Sequence, residues 1–401
     1  MVTSAPRDVP DVLAPAKLGP LTLRNRIVKA ATFEGATPKA LVTDQLIEYH
    51  RRPAAGGVGM ITVAYLAVAP EGRTERHQIW MRPEAGPGLR RLTDAVHAEG
   101  AAVSAQIGHA GPVADAVSNR SPALGPTRRL NPLSMRTTKA ATEADISRII
   151  RAHGEAAEIA VASGFDAVEI HLGHNYFASA FLSPKLNRRR DRYGGSLANR
   201  AAVARGAARA VRDAVGDRLA VVAKLNMDDG VPGGIWLDES LQLARWLQDD
   251  GTIDALELTA GSSLLNPMYL FRGEAPLSQF AAAFPQPQRL GVQALGRRFL
   301  IEYPYQEAYL LDSARQFRAA VDLPLILLGG IADLATARQA MSEGFEFVAM
   351  GRALLREPDL VNRYMAGTSS TSLCVHCNRC MPTIYSGTRC VLVDPEPFPR
   401  R

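Results

Sequence analysis

Cysteine is nearly absent from this chain. Four occur in 401 residues, all beyond Leu373, and with no export signal ahead of them that clustering argues for metal ligation over a disulfide framework. No apolar run reaches the roughly 18 residues of a membrane span, and Met1 to Asp11 has no secretory core, so a cytoplasmic protein is expected. A Gly-x-Gly-x-x-Gly dinucleotide fingerprint is also missing. The +6 net charge comes from scattered arginines such as Arg51-Arg52, Arg90-Arg91 and Arg188 to Arg190, without interleaved aromatics, which argues against a nucleic-acid surface. At 47% hydrophobic and 21% charged residues there is ample material for a core.

Short β-branched or apolar runs alternate with longer amphipathic ones. The strands are expected at Arg26–Ala31, Val58–Val63, Ala102–Ile107, Ala167–His171, Ala220–Leu225, Ala255–Thr259, Leu325–Leu328 and Phe347–Met350. Helices are expected at Thr43–Arg51, Gly88–Glu99, Glu143–Ser163, Leu197–Val215, Leu237–Asp249, Tyr305–Val321, Ala335–Glu343 and Glu357–Ala366. Equal numbers of each favour a closed α/β (β/α)₈ barrel, spanning residues 1–366, over an open doubly wound sheet. Residues 367–401 form a cysteine-rich tail expected to pack on it. Two stretches exceed a minimal barrel: Pro112 to Lys139, and Ser262 to Phe299, whose Tyr269, Phe271, Phe280 and Phe284 suggest a substrate wall.

Reactive side chains gather at the carboxyl ends of these strands, where barrels keep their active sites. Gln106 and His109, His171 and His174, Lys224, and Gly329-Gly330 all fall there. In Val168-Glu-Ile-His171-Leu-Gly-His174-Asn-Tyr176 the two imidazoles can face the same way if the turn is helical. No third metal ligand follows at a suitable spacing. Neutral imidazoles can hold a substrate oxygen as charge develops on it, and a phenol with an ordinary pKa of about 10 can give a proton. The same groups could equally satisfy buried backbone carbonyls. Lys224 could pair with a barrel carboxylate, and the Gly329-Gly330 turn with Gly351-Arg352 one unit later could cradle a phosphate.

The run Phe181-Leu-Ser-Pro184, Asn187-Arg-Arg-Arg-Asp191-Arg-Tyr193-Gly-Gly-Ser196 and Asn199-Arg200 resembles the old yellow enzyme family, as does Leu18-Gly-x-Leu-x-Leu-x-Asn25-Arg26. The resemblance extends from Leu13 to Met365. It implies an FMN-dependent oxidoreductase in which His171 and His174 hold the substrate's oxygen and Tyr176 protonates the carbon opposite the hydride. It further implies FMN contacts from Ala31, Thr32, Gln106, Lys224, Gly329, Gly330, Gly351 and Arg352, with Lys224 where the family usually has arginine. Where many members tune the flavin with threonine or cysteine, Lys29-Ala-Ala-Thr32-Phe33-Glu34 places Phe33, or Thr32 if the register slips. NADH or NADPH would visit the substrate's face as a transient donor.

Cys374-x-x-Cys377-x-x-Cys380 with Cys390 offers four thiolates, enough for a [4Fe–4S] cluster or a tetrahedral zinc ion. The successive two-residue spacing favours the cluster, with His376 as a bystander. It also resembles the branch of the family containing trimethylamine dehydrogenase and 2,4-dienoyl-CoA reductase. The leading expectation is therefore an ene-reductase acting on a small molecule with an activated double bond. The alternatives are a desaturase or amine-type dehydrogenase passing electrons through the cluster to a separate protein, or a non-catalytic electron carrier. The sequence leaves a homo-oligomer open.

Overall fold

Period-two alternation of apolar side chains, one set facing outward and one inward, lets eight parallel strands close into a ring. The strands are β1 (Ile27–Phe33), β2 (Met60–Ala67), β3 (Ala102–Gly108), β4 (Ala167–Leu172), β5 (Ala220–Asn226), β6 (Ala255–Thr259), β7 (Leu325–Leu328) and β8 (Phe347–Met350). Val348 paired with Ile27 closes the ring. The computed structural model describes residues 9–35, 37–131, 136–283, 286, 288–384 and 386–396. The fold is a (β/α)₈ barrel.

Around it run α1 (Asp44–Ala55), α2 (Gly86–Ala98), α3 (Glu143–Ala162), α4 (Leu197–Val215), α5 (Leu237–Asp249), α6 (Leu311–Ala320), α7 (Leu334–Ser342) and α8 (Leu360–Met365). Thr142 and Asp145 start α3 with a reciprocal capping box. Outward strand residues such as Ile61, Val103, Ile170 and Val221 join the helices in the main core. Inward residues Val28, Met60, Val222, Ala255, Ile326 and Phe347 fill the lower barrel. A hairpin not anticipated from the sequence, Ala16–Leu18 with Leu21–Leu23, closes that end by adding Ala16, Leu18 and Leu23 to the inner cluster.

The sequence boundaries shift where tertiary contacts compete. Helix α1 continues through Pro53 to Ala55, since a proline in the last turn forfeits little of the helical bonding. Helix α8 begins at Leu360 instead of Glu357, whose carboxylate is engaged by Ser372 Oγ at 2.7 Å and by Arg363. Helix α6 begins only at Leu311, because Tyr305 and Tyr309 lie on the cavity described below. The long insertion after β3 is not a bare loop: Leu124–Gly125, Arg129–Asn131 and Arg136–Ala140 pair as short strands. Among the described residues no helix is long and apolar enough to cross a membrane.

Candidate active site

A cavity of about 1520 Å³ opens at the carboxyl ends of the strands. Gln106, His171, Lys224 and Thr259 reach it from β3 to β6, with Gly329 and Gly330 just after β7 and Gly351 and Arg352 just after β8. Ala31 and Thr32 line it from β1, and His174 and Tyr176 from the turn after β4. The eleven residues expected to contact substrate or FMN thus share one space. His109, also at a strand end, does not line it: Gly111 N–H donates to its Nδ1 at 2.9 Å and its Nε2 faces Glu71.

The turn after β4 is not right-handed helical. His174 and Asn175 have φ of 60° and 58°, the left-handed region that Asn and His enter more readily than most side chains. Asn175 Nδ2 donates to Asp229 at 3.0 Å, and His174 N–H donates to Asn226 Oδ1 at 3.1 Å, which holds that shape. The imidazoles meet edge to face with centroids 5.0 Å apart, and Tyr176 stacks on His171 at 4.4 Å and 9°. Gly108 makes room: a Cβ there would lie 3.1 Å from that of His171.

Hydrogen bonding assigns the imidazole nitrogens. Gly173 N–H donates to His171 Nδ1 at 3.2 Å, so the proton resides on Nε2. Burial, then the nearby Lys224 ammonium, depresses His171 to a pKa of about 3, so it is neutral at physiological pH. His174 Nε2 sits 3.0 Å from Thr259 Oγ1, and burial with neighbouring His171 and Lys224 lowers it well below the ordinary imidazole value. Two neutral rings with one nitrogen each already partnered can bind and polarise an oxygen without a full cation.

Lys224 does have the carboxylate partners that the sequence offered as an alternative. Its Nζ bonds Glu257 and lies 3.5 Å from Glu169, while the side chain still borders the cavity. Gln106 Nε2 donates to both oxygens of Glu169, at 3.2 and 3.3 Å. Both acids, with Tyr65, Asn226 and Thr259, went unnoticed in the sequence. The signal was present: Glu169 and His171, like Glu257 and Thr259, are two apart on their strands and share an inward face.

At the other end of the cavity Gly329 and Gly330 have φ of 100° and 78°. A Cβ on Gly330 would come within 2.6 Å of Gln306 O, so the backbone passes where no side chain fits. In front of Gly351 the space is open, and Arg352 stands beside it, donating to Arg272 O at 2.7 Å and to Asn378. An open glycine cradle with a guanidinium at one end and an amide at the other fits a phosphate-bearing ring system such as FMN. The register irregularity of β1 between Lys29 and Thr32 brings both Thr32 and Phe33 to the cavity wall. Of the expected aromatic wall, Phe271 and Phe280 line the cavity, whereas Tyr269 turns to pack on Tyr303 and Arg272. Phe284 lies outside the described residues.

The tail is pinned to the same rim. Thr388 bonds the carbonyls of Phe33 and Glu34, and Asn378 Nδ2 donates to Glu274 O at 2.8 Å. All four cysteines are free. Cys380 borders the cavity; burial pushes its thiol up to about 12, opposed by Arg352, and the other three sulfurs raise it further. Arg356 lies 3.9 Å from Cys390 Sγ. Among the described residues no three of His, Cys, Asp and Glu converge as ligands of an ion. His376, expected as a bystander, stacks on Tyr305 with centroids 3.3 Å apart and lines the cavity.

A closed barrel with these groups around one carboxyl-end cavity has the arrangement that suits a flavin-dependent oxidoreductase. The NADH:flavin oxidoreductase / NADH oxidase family matches residues 11–261, and the chain belongs to it as an FMN-dependent enzyme of the old yellow enzyme class. It is 55% identical over 393 residues to 4,4'-dithiodibutanoate disulfide reductase of Rhodococcus erythropolis, covering 98% of this chain and 97% of that one. A metal reductase of Desulforamulus reducens is 32% identical over 93% of this chain, which spans only 52% of that relative. The solved complex of 2-naphthoyl-CoA reductase with 2-naphthoyl-CoA superposes with a TM-score of 0.82 at 25% identity, covering 95% of this chain and 56% of that one.

Proposed function

We propose that the protein is an NADH- or NADPH-fed reductase of a small molecule whose two-electron acceptor bond is an activated C=C, as in an enone. One observation carries this reading: two neutral imidazoles meet edge to face 5.0 Å apart with a phenol stacked against one of them. FMN, when bound, would supply two-electron hydride exchange between the nicotinamide and the substrate. Gln106 and Lys224 would hold its pyrimidine side, and Gly329, Gly330, Gly351 and Arg352 its phosphate, with Ala31 and Thr32 at the ring. His171 Nε2–H donates to the substrate's oxygen together with His174 and stabilises the charge that gathers there. Tyr176 gives its phenolic proton to the carbon left electron-rich. The aromatic loop, through Phe271 and Phe280, walls the pocket from water.

A disulfide substrate is the second reading, favoured by the 55% identity to the Rhodococcus erythropolis reductase along nearly its whole length. Tyr176 would then protonate the departing thiolate. Anaerobic consumption of NADH or NADPH with cyclohexenone or with 4,4'-dithiodibutanoate, and identification of the product, separates the two. Activity on neither substrate, with a saturated substrate oxidised by an artificial acceptor instead, would replace both with the dehydrogenase reading. Flavin that cycles with no substrate at all would leave an electron carrier.

The four cysteines suit a [4Fe–4S] cluster better than zinc. The successive two-residue spacing of Cys374, Cys377 and Cys380 is that of cluster ligands, and the guanidiniums of Arg352 and Arg356 nearby offset the thiolate charge. Cys374, Cys377, Cys380 and Cys390 would hold it, and it would supply one-electron exchange with a separate protein. Free thiols also suit a reducing compartment such as the cytoplasm. Four iron and four labile sulfides per chain in anaerobically purified protein support the cluster, whereas stoichiometric zinc removes it.

A further inference from the structure

In the upper barrel one ammonium faces two carboxylates. Lys224 bonds Glu257 and lies 3.5 Å from Glu169, and all three side chains are at most 4% exposed. Burial alone would lower the Lys224 pKa, but the two acids outweigh it and keep the group charged. With both acids ionised the set carries a net negative charge that solvent screens little, since of its three members only Lys224 borders the cavity. Groups on other strands do not balance it. Lys29, on β1 across the barrel, has the carboxylate of Glu34 as its stronger partner, His171 on β4 is neutral, and Gln106 on β3 offers just an amide. One proton completes the set. Glu257 holds the direct bond to the ammonium, so the proton falls to Glu169, whose carboxyl is pushed up to about 7 by burial first and the charge of Glu257 second.

We infer that Glu169 is a proton-linked counter-charge for the flavin, binding one proton when the ring gains negative charge on reduction and releasing it on reoxidation. This rests on the reading that FMN lies over Gln106 and Lys224. Hydride and its electrons come from NADH or NADPH; the additional proton comes from cavity water and ends on a carboxylate oxygen of Glu169. No substrate bond is involved. A neutral Glu169 frees Lys224 to divide its charge between Glu257 and the reduced ring. Glu169 is thus a positioning residue, acting through Lys224.

The test is the midpoint potential of bound FMN from pH 5.5 to 8.5 in the holoenzyme and in Glu169→Gln, which keeps the shape and an amide that Gln106 can turn to meet. Above pH 7 the wild type should lose potential more steeply than the variant, by up to about 30 mV per pH unit, one proton per two electrons. Below pH 7 the two curves should run parallel. Equal slopes throughout overturn the inference. If the variant does not fold, reduced-minus-oxidised infrared spectra of the wild type at pH 8 decide: a protonated carboxyl band should appear on reduction, and its absence rejects the proton. Gln106→Ala tests the underlying reading separately, with an expected tenfold or greater loss of FMN affinity by fluorescence titration. Unchanged affinity rejects the FMN placement, whereas weakened affinity with equal slopes rejects only the role of Glu169.

Discussion

The two halves of the barrel interior are built from the same eight strands and obey opposite rules. Below, Val28, Met60, Val222, Ile326 and Phe347, with alanines between them, pack against the floor hairpin with no ionisable group among them. Above, two residues further along several of those strands, Gln106, Glu169, Lys224, Glu257 and Thr259 form a polar layer that is almost as dry. The lower half gains stability by excluding water from carbon. The upper half forgoes part of that gain to keep charge beside the cavity, and it stays intact only while each charge is matched.

Breaking the match should have the largest effect. Lys224→Ala leaves Glu169 and Glu257 buried without a cation and should cost about 3–5 kcal/mol of unfolding free energy, measured by denaturant titration. The loss should shrink at pH 5, where the acids take up protons. A comparable loss at every pH would mean that Lys224 matters for packing instead of charge.

His171→Ala should reduce turnover by about 10²–10³ while leaving the denaturation midpoint nearly unchanged, because the ring acts on charge that develops in the reaction. Tyr176→Phe should lower turnover by about 10²-fold through loss of the proton donor. Normal rates in both variants would detach the turn after β4 from the chemistry.

The pH dependence of stability sharpens the comparison further. A carboxyl raised from 4.5 to about 7 on folding adds stability that is fully present below 4.5 and lost as pH rises through 7. Wild-type unfolding free energy should therefore decline between those values, and Glu169→Gln should flatten the decline. Smallest of all, Ile326→Val in the lower half should cost about 0.5–1.5 kcal/mol at any pH and leave the flavin spectrum untouched.

Much of this was legible in one dimension. Strand alternation located all eight barrel strands to within a few residues, and residues such as Gln106, Lys224 and Gly330 stood out because reactive or glycine positions recur at strand ends. Glu169 and Glu257 were overlooked because an acid within an apolar strand has no visible partner until the strands are in register: Gln106 opposite Glu169, Lys224 opposite Glu257. Tyr65 and Thr259 were hidden for the same reason, since each matters through a ring brought to it from another strand.

The sequence by itself determined the barrel, the set of side chains available at its open end and the four cysteines beside them, because period, turn chemistry and spacing are local properties. Only the tertiary structure decided that His174 and Asn175 turn left-handed, that Lys224 is shared by two acids, and that His376 faces the cavity. Those outcomes depend on which groups become neighbours once water is gone, and burial is what converts neighbours into altered charge.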